Sequence, residues 1–517
     1  MPERLLIKDG LVWNPGAPAA EPADVLVEGD RIVAVGPGLA APPDAARLDA
    51  SGRIVLPGFV NAHTHAHNNL SRSSGDNWNL ELFLNAGGAM FRGRTAEEQY
   101  LSALLGAVEM AKSGATAAYD LFLDIPAPSP ESIEAVVRAY ADVGLRAVVA
   151  PAVADLFFYD TVPGLLEAMP EDLRREVERR RPGTAGEATL ETVREALRRF
   201  RHAAGGRVQL AVAPTIPGQC SDEFLLGCAR LADEFGALLH THLAESKVQA
   251  LYGLRRYGVS LTRHLHDLDL LGPRFTAAHA IWLDEDDIAL LADAGASVAH
   301  NAASNMRLGS GIAPVAEMLA RGVNVAIGTD GAACSDSVNM FVAVRFAAAA
   351  SKVRTPDYPK WIGSQQALAM ATRGGARALG FGDALGAVAP GLLADLVLLR
   401  VDSPSLSPLN DLPNQLAYAE TGAGVDTVIV GGRIVVQGGR VLTVDEAALR
   451  RKAQAAAENF RARNRAEWDL ANRLAPVVGQ VCRALCRAPH PINRLASAPS
   501  DWGPLEPEGP TPGPRKN

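Results

Sequence analysis

The sequence predicts an α/β protein: a barrel of eight parallel strands, (β/α)8, joined to a small β domain assembled from both ends of the chain. Three observations carry this. Residues 58–387 repeat a short apolar run followed by a longer stretch with helical spacing. Residues 1–57 and 388–445 instead carry short Val/Ile-rich runs broken by Gly and Asp turns. Several of the central runs also end in histidine or aspartate, the residue types that bind metal ions.

At the start of the chain, residues 5–12 and 24–35, with the turn Glu28-Gly29-Asp30, read as antiparallel strands. The same grammar returns at residues 394–399 and 425–435. Either group alone would leave an apolar sheet face uncovered, so both are expected in one domain with the middle inserted between them. The central strand candidates are residues 59–63, 116–121, 145–151, 208–213, 238–242, 275–279, 296–300 and 323–329. Helices are expected between them at 96–113, 130–143, 190–203 and 221–235, the last capped by Ser221. An open doubly wound sheet competes, but no G-x-G-x-x-G follows the first strand. Residues 446–517 read as an Ala/Arg/Glu-rich helix ending at Leu474, then a Pro/Gly-rich tail whose last stretch, 503–517, buries too little to become ordered. Cys482 and Cys486, four apart, are read as ordinary thiols, since no histidine stands near them.

Composition narrows the function classes. The chain has 517 residues, 48% apolar and 21% charged, which fits a folded globular body. Fifty basic against 58 acidic residues give a net charge of −8, and without a basic run a nucleic-acid or membrane partner is disfavoured. A small-molecule substrate is expected, and a homo-oligomer, a dimer, as the assembly. Five scattered cysteines and a beginning without a signal-peptide apolar core point to the cytoplasm.

The chemistry sits at the strand ends. His63 and His65 are two apart, so on an extended segment they project to one side and can share an ion. His242 and Glu245 follow the fifth candidate, His279 ends the sixth, and Asp330 follows the eighth. In an eight-stranded α/β barrel these ends form one mouth, where three imidazoles and a carboxylate suit a borderline divalent ion such as zinc.

The segments P-G-F-V-N-A-H-T-H, His242-Leu243-Ala244-Glu245, Ala278-His279-Ala280, His300 to Asn305 and Gly328-Thr329-Asp330-Gly331 together resemble the amidohydrolase superfamily, nearest its branch of nucleoside, guanine and triazine deaminases and chlorohydrolases. The resemblance implies a TIM barrel flanked by a split β-sandwich. It also implies metal ligands His63, His65, His242 and Asp330, with His279 against the reacting water and Glu245 as proton shuttle. Asp330 would accept a hydrogen bond from the hydroxide and so counts with the catalytic groups. A divalent ion can bring the pKa of water near 7, and a neighbouring carboxylate can carry the proton to the leaving nitrogen. Binuclear members use a bridging lysine after the fourth strand. Residues 208–215 contain none, so one divalent ion is expected, Zn2+ first and Fe2+ as the alternative.

His67, Glu81, His300 and Asn305 are candidate substrate contacts, and residues 71–91 and 155–181 are the loops expected to carry specificity. Members acting on adenosine-type nucleosides have a histidine where Thr215 stands and an aromatic residue at Leu82, a departure that speaks against such a substrate. His240 and Cys334 are expected as core residues, and His202, His264 and His266 on helix surfaces. Deamination of a small nitrogen-rich heterocycle is the expected reaction. The alternatives are hydrolysis of a urea, amide or cyclic amide, dechlorination of a heterocycle, and, remotely, a non-catalytic binding protein with a structural metal.

Overall fold

A computed structural model describes residues 4–181, 186–201 and 203–497; His202 and the stretch 503–517 lie outside the described residues. Eight central strands are present: β1 (Phe59–Thr64), β2 (Ala115–Phe122), β3 (Arg146–Val153), β4 (Val208–Leu210, resumed at Ala213–Pro214), β5 (Leu239–Leu243), β6 (Phe275–His279), β7 (Ser297–His300) and β8 (Asn324–Ile327). The first four make one curled parallel sheet and the last four another. The two sheets touch at both edges. Val212 bridges Leu239, and Thr64 bridges Asp330, whose N–H donates to His63 O at 2.9 Å.

Side chains alternate across these strands as a two-residue repeat requires. On β7, Val298 joins the large core beneath the surrounding helices, while Ala299 joins a second cluster with Val60, Ala117, Tyr119 and Ala326 on the strands' other face. The intervening helices begin where the sequence supplies caps. Thr95 and Glu98 form a capping box for Ala96–Lys112, and the Ser221 hydroxyl accepts from Phe224 N at the start of Asp222–Phe235.

Strands from both ends of the chain share one nine-stranded sheet. Its central strand, Arg53–Pro57, pairs in parallel with Arg4–Val12 and antiparallel with Leu396–Arg400. Ile54 and Leu56 face the large core below, and Val55 packs with Leu396 and Leu398 on the opposite side. The strand runs straight into β1 through Gly58, so the sheet fixes the entry of the His63/His65 segment.

The last helical region departs from expectation. Two helices, Glu446–Arg463 and Arg465–Arg487, replace one, and the second continues past Leu474 with Pro476 inside it. Leu470, Leu474, Val478, Cys482 and Leu485 are all buried at intervals of three or four. That apolar stripe packs on Val162, Leu165, Val248 and Leu251, and this burial overrides the local cost of the proline. Among the described residues no helix is long and apolar enough to cross a membrane, and all five cysteines are free. His264 is buried rather than exposed, stacked on Tyr257 with its Nε2 2.9 Å from Asp222.

One buried carboxyl gives a pH-dependent expectation. Asp287 helps cap helix Glu285–Asp293, and burial pushes its pKa up to about 6 from an ordinary carboxylate value. The folded state therefore holds a proton that the unfolded chain has released, and wild-type stability falls as pH rises through this window. Asp287→Asn keeps an acceptor for Asp284 N and removes the titration. The melting temperature of the variant relative to wild type should rise between pH 4 and pH 7; a flat difference would refute the shift.

Candidate active site

Burial and strand geometry bring the candidate ligands together. His65 Nε2 lies 3.0 Å and His63 Nε2 3.5 Å from Asp330 Oδ1. His242 Nε2 lies 3.2 Å from His65 Nε2. His279 Nε2 is 3.6 Å from Glu245 Oε2 and 3.8 Å from Asp330 Oδ2. His63, His65 and Asp330 form one group able to hold an ion, and His63, His242 and His279 a second.

Several features suit this cluster to a cation. His65 Nδ1 and His242 Nδ1 each lie 2.5 Å from a backbone carbonyl, of Leu121 and Thr215 respectively. Each such nitrogen donates its proton to the carbonyl, which leaves the Nε2 lone pair free to coordinate. Both ring nitrogens of His63 are buried without a hydrogen-bond partner, an arrangement that costs free energy unless something else satisfies them. Burial pushes the His63 pKa down to about 3 and that of His242 well below its ordinary value, so both are neutral donors at pH 7. Burial opposes the ionisation of Asp330, yet the adjoining rings of His63 and His65 hold its carboxyl well below the usual range. Burial works against a charge on His65, yet Asp330 beside it raises that ring's pKa, so an ion binding here displaces a proton from His65. Three imidazoles and one carboxylate then fit a borderline divalent ion such as zinc.

The backbone here is bent against its preference. Ala244, His279, Ala280 and Asp330 all have φ between 47° and 68°, where non-glycine residues are rare. Such strain persists where the surroundings dictate it and gathers at functional sites. Gly328, just before Asp330, answers a different need: a Cβ there would lie 2.3 Å from Asn301 Oδ1 and 2.7 Å from His63 Cβ. Gly328→Ala is expected to displace His63 and lower metal content at least tenfold, read by elemental analysis alongside thermal melting. Full metal content in a folded variant would show that the contact yields without cost.

Glu245 is buried beside His279. Burial, then the charges of Asp330 and Glu81, raise its pKa well above the ordinary carboxyl value. His279 Nδ1 lies 2.8 Å from Asn305 Oδ1, and Asn301 Nδ2 lies 3.3 Å from His279 Nε2. A cavity of about 80 Å³ opens on this group, lined by His65, His67, His242, Glu245, His279 and Asp330 on its polar side and by Phe83, Phe91 and Leu308 opposite.

The four substrate-contact candidates separate. His67 lines the cavity, its Nδ1 accepting from Leu123 N at 2.9 Å and its ring against Phe91. Asn305 stands behind His279 and orients it, without lining the cavity. Glu81 is buried behind the Glu245 turn, where Ser246 Oγ donates to it at 2.6 Å. His300 shares the outward parity of Val298 and lines a different cavity, with Val315 and Ala347. His240, expected in the core, lies beneath the metal cluster, with its ring centroid 5.0 Å from that of His63 and 4.4 Å from that of Tyr119. Cys334 lines the active-site cavity, its thiol pKa raised by burial. Leu82 packs toward the long helix Arg465–Arg487, outside the metal-site cavity.

Sequence reasoning missed Asn61 and Asn301. Asn61 Nδ2 donates to Thr329 Oγ1 at 2.8 Å and its Oδ1 accepts from Thr329 N at 3.0 Å, tying β1 to the segment that carries Asp330. Its place two residues before His63, on the same side of the strand, is the signal that could have found it.

Similarity to known proteins extends over most of the chain. The sequence profile described as the amidohydrolase family matches residues 54–435. A 5'-deoxyadenosine deaminase of Methanothermobacter thermautotrophicus is 36% identical over 84% of this chain and 93% of its own length. A 5-methylthioadenosine/S-adenosylhomocysteine deaminase of Symbiobacterium thermophilum is 38% identical over 84% of this chain and 94% of its own. Among solved structures, a zinc-bound adenosine deaminase of Xanthomonas campestris superposes with a TM-score of 0.78 at 27% identity, covering 89% of this chain and 98% of that one. A zinc-complexed atrazine chlorohydrolase of Arthrobacter aurescens gives 0.77 at 26%, covering 88% and 100%. The chain therefore belongs to the amidohydrolase family, and it is a hydrolase acting on carbon–nitrogen bonds.

Proposed function

We propose that this enzyme removes the amino group of an adenosine derivative, exchanging a ring-bound nitrogen for hydroxyl, with one divalent ion, zinc before iron, at the cluster of His63, His65, His242 and Asp330. The observation that carries the reading is that His65, His242 and Asp330 line one small cavity with Glu245 and His279, while His63 belongs to the same cluster of ligand-type groups. An ion held there would supply the acidity that makes water a nucleophile near neutral pH. Glu245 takes the proton of the attacking water on a carboxylate oxygen and gives it to the leaving nitrogen. His279, whose Nδ1–H donates to Asn305 Oδ1, turns its Nε2 toward Glu245 and Asp330, where it accepts a hydrogen bond from the attacking water and orients it. The apolar wall of Phe83, Phe91 and Leu308 takes the face of an aromatic ring.

We read the two touching sheets as a closed (β/α)8 barrel formed by residues 58–387. The nine-stranded sheet then forms a β-sandwich domain from residues 1–57 and 388–445, and residues 446–517 are a third segment, whose helices Glu446–Arg463 and Arg465–Arg487 pack on the barrel. Adenosine derivatives are favoured by relatives with that named activity over most of the chain, against the departure at Thr215. Chloride displacement is the rival, favoured by the likeness to the chlorohydrolase. Metal-loaded protein incubated with 5'-deoxyadenosine, 5'-methylthioadenosine, S-adenosylhomocysteine, aminotriazines and chlorotriazines is expected to release ammonia from the nucleosides. Release of chloride alone would reverse the ranking.

A further inference from the structure

Beside the metal-site cavity lies a second space of about 200 Å³, and Leu84, Gly87, Leu123, Ala152, Thr215 and Ile216 line both. The far wall of this second space is not built by the barrel. It includes Glu467, Leu470 and Ala471 of the helix Arg465–Arg487, which lies beyond residue 435, where the family match ends.

That helix is firmly seated. Asn85 Nδ2 donates to Ala471 O at 2.9 Å, and Tyr159 OH donates to Asn85 Oδ1 at 2.9 Å. Arg180 pairs with Glu467 at 3.0 Å, and Lys247 Nζ donates to Cys486 O at 2.7 Å. Trp468 stacks on Trp78, and the chain beyond the helix is tied to the far side of the mouth by Ile312 N donating to Arg494 O at 2.9 Å. The helix is thus bonded to the segments that follow β1, β3 and β5, and the chain beyond it to the segment that follows β7. Its Leu470 and Ala471 face a space whose other walls mix Leu123, Phe157 and Phe158 with the charged Asp124, Asp155 and Arg180.

We propose that Leu470 and Ala471 form a wall of the substrate channel, and that this wall sets how large a substituent the reacting ring can carry. The family scaffold supplies the chemistry, and a segment outside it supplies the size limit. The inference rests on the adenosine-derivative reading for its natural probes, although the channel itself can be tested without it.

Ala471→Trp fills the channel and Leu470→Ala widens it. Both are compared with wild type as full-length, zinc-loaded proteins matched for metal content and melting behaviour. In Ala471→Trp, kcat/KM for S-adenosylhomocysteine should fall by about tenfold or more relative to that for 5'-deoxyadenosine, since pocket walls discriminate by such factors. In Leu470→Ala the ratio should move the other way. An unchanged ratio in folded Ala471→Trp overturns the proposal; if that variant does not fold, an unchanged or reversed ratio in Leu470→Ala does so. Should wild type turn over none of the nucleosides, the substrate reading fails by itself. The channel is then judged by the rate at which dipicolinate strips zinc, in the range where that rate rises with chelator concentration. Slower loss in Ala471→Trp, or faster loss in Leu470→Ala, sustains the channel, and equal rates refute it.

Discussion

Glu245→Gln is expected to lower kcat by about 10² to 10⁴ while leaving metal content at the wild-type level. The amide keeps the size of the side chain and an oxygen toward His279, which lies 3.6 Å from Glu245 Oε2, but it can neither take a proton nor give one. In the proposed reaction two proton transfers use this carboxylate, one from the attacking water and one to the leaving nitrogen, so the loss should fall in the upper part of the range. Raising the pH should not restore turnover, because the missing function is a group and not a protonation state. Elemental analysis and initial rates on the same sample separate the outcomes. Loss of metal with activity rescued by excess zinc would make Glu245 a ligand. Retained metal with retained turnover would indicate a leaving group that departs unprotonated, as chloride does, and would bring dechlorination forward.

The parts of this site that were legible in the sequence are those fixed by strand periodicity. His63 and His65, two apart after an apolar run, share a side in the structure, and His242, His279 and Asp330 sit at strand ends that pair in parallel. What was hidden depends on groups that leave no mark in a sequence. The carbonyls of Leu121 and Thr215 that set the tautomers of His65 and His242 belong to the backbone, so any residue could stand there. His300 was in principle readable, since it keeps the parity of Val298 and so faces outward, while Asn301 turns inward to His279. The long helix was hidden by Pro476, a local stop signal overruled by a stripe of buried side chains whose partners lie some 220 to 310 residues earlier.

His242→Ala should lose the metal rather than the proton transfer. His242 offers one Nε2 lone pair, held toward His65 by its hydrogen bond to Thr215 O, and its neutral state is secured by burial. Removing even an outer partner of a ligand typically costs about 10 to 100-fold in affinity, so deletion of a coordinating ring should cost more than about 100-fold. Thermal melting gives a readout independent of turnover. A ligand that binds the folded state alone stabilises it by RT ln(1 + [L]/Kd), so zinc at 100 times the dissociation constant adds about 2.7 kcal/mol. Wild type freed of metal should therefore gain several degrees on zinc addition, and His242→Ala at the same zinc concentration should gain almost none. The comparison also controls for the cavity that alanine leaves beside His65, because that penalty is present with and without zinc. An equal zinc-dependent shift in both proteins would place the ion elsewhere and remove His242 from the ligand set.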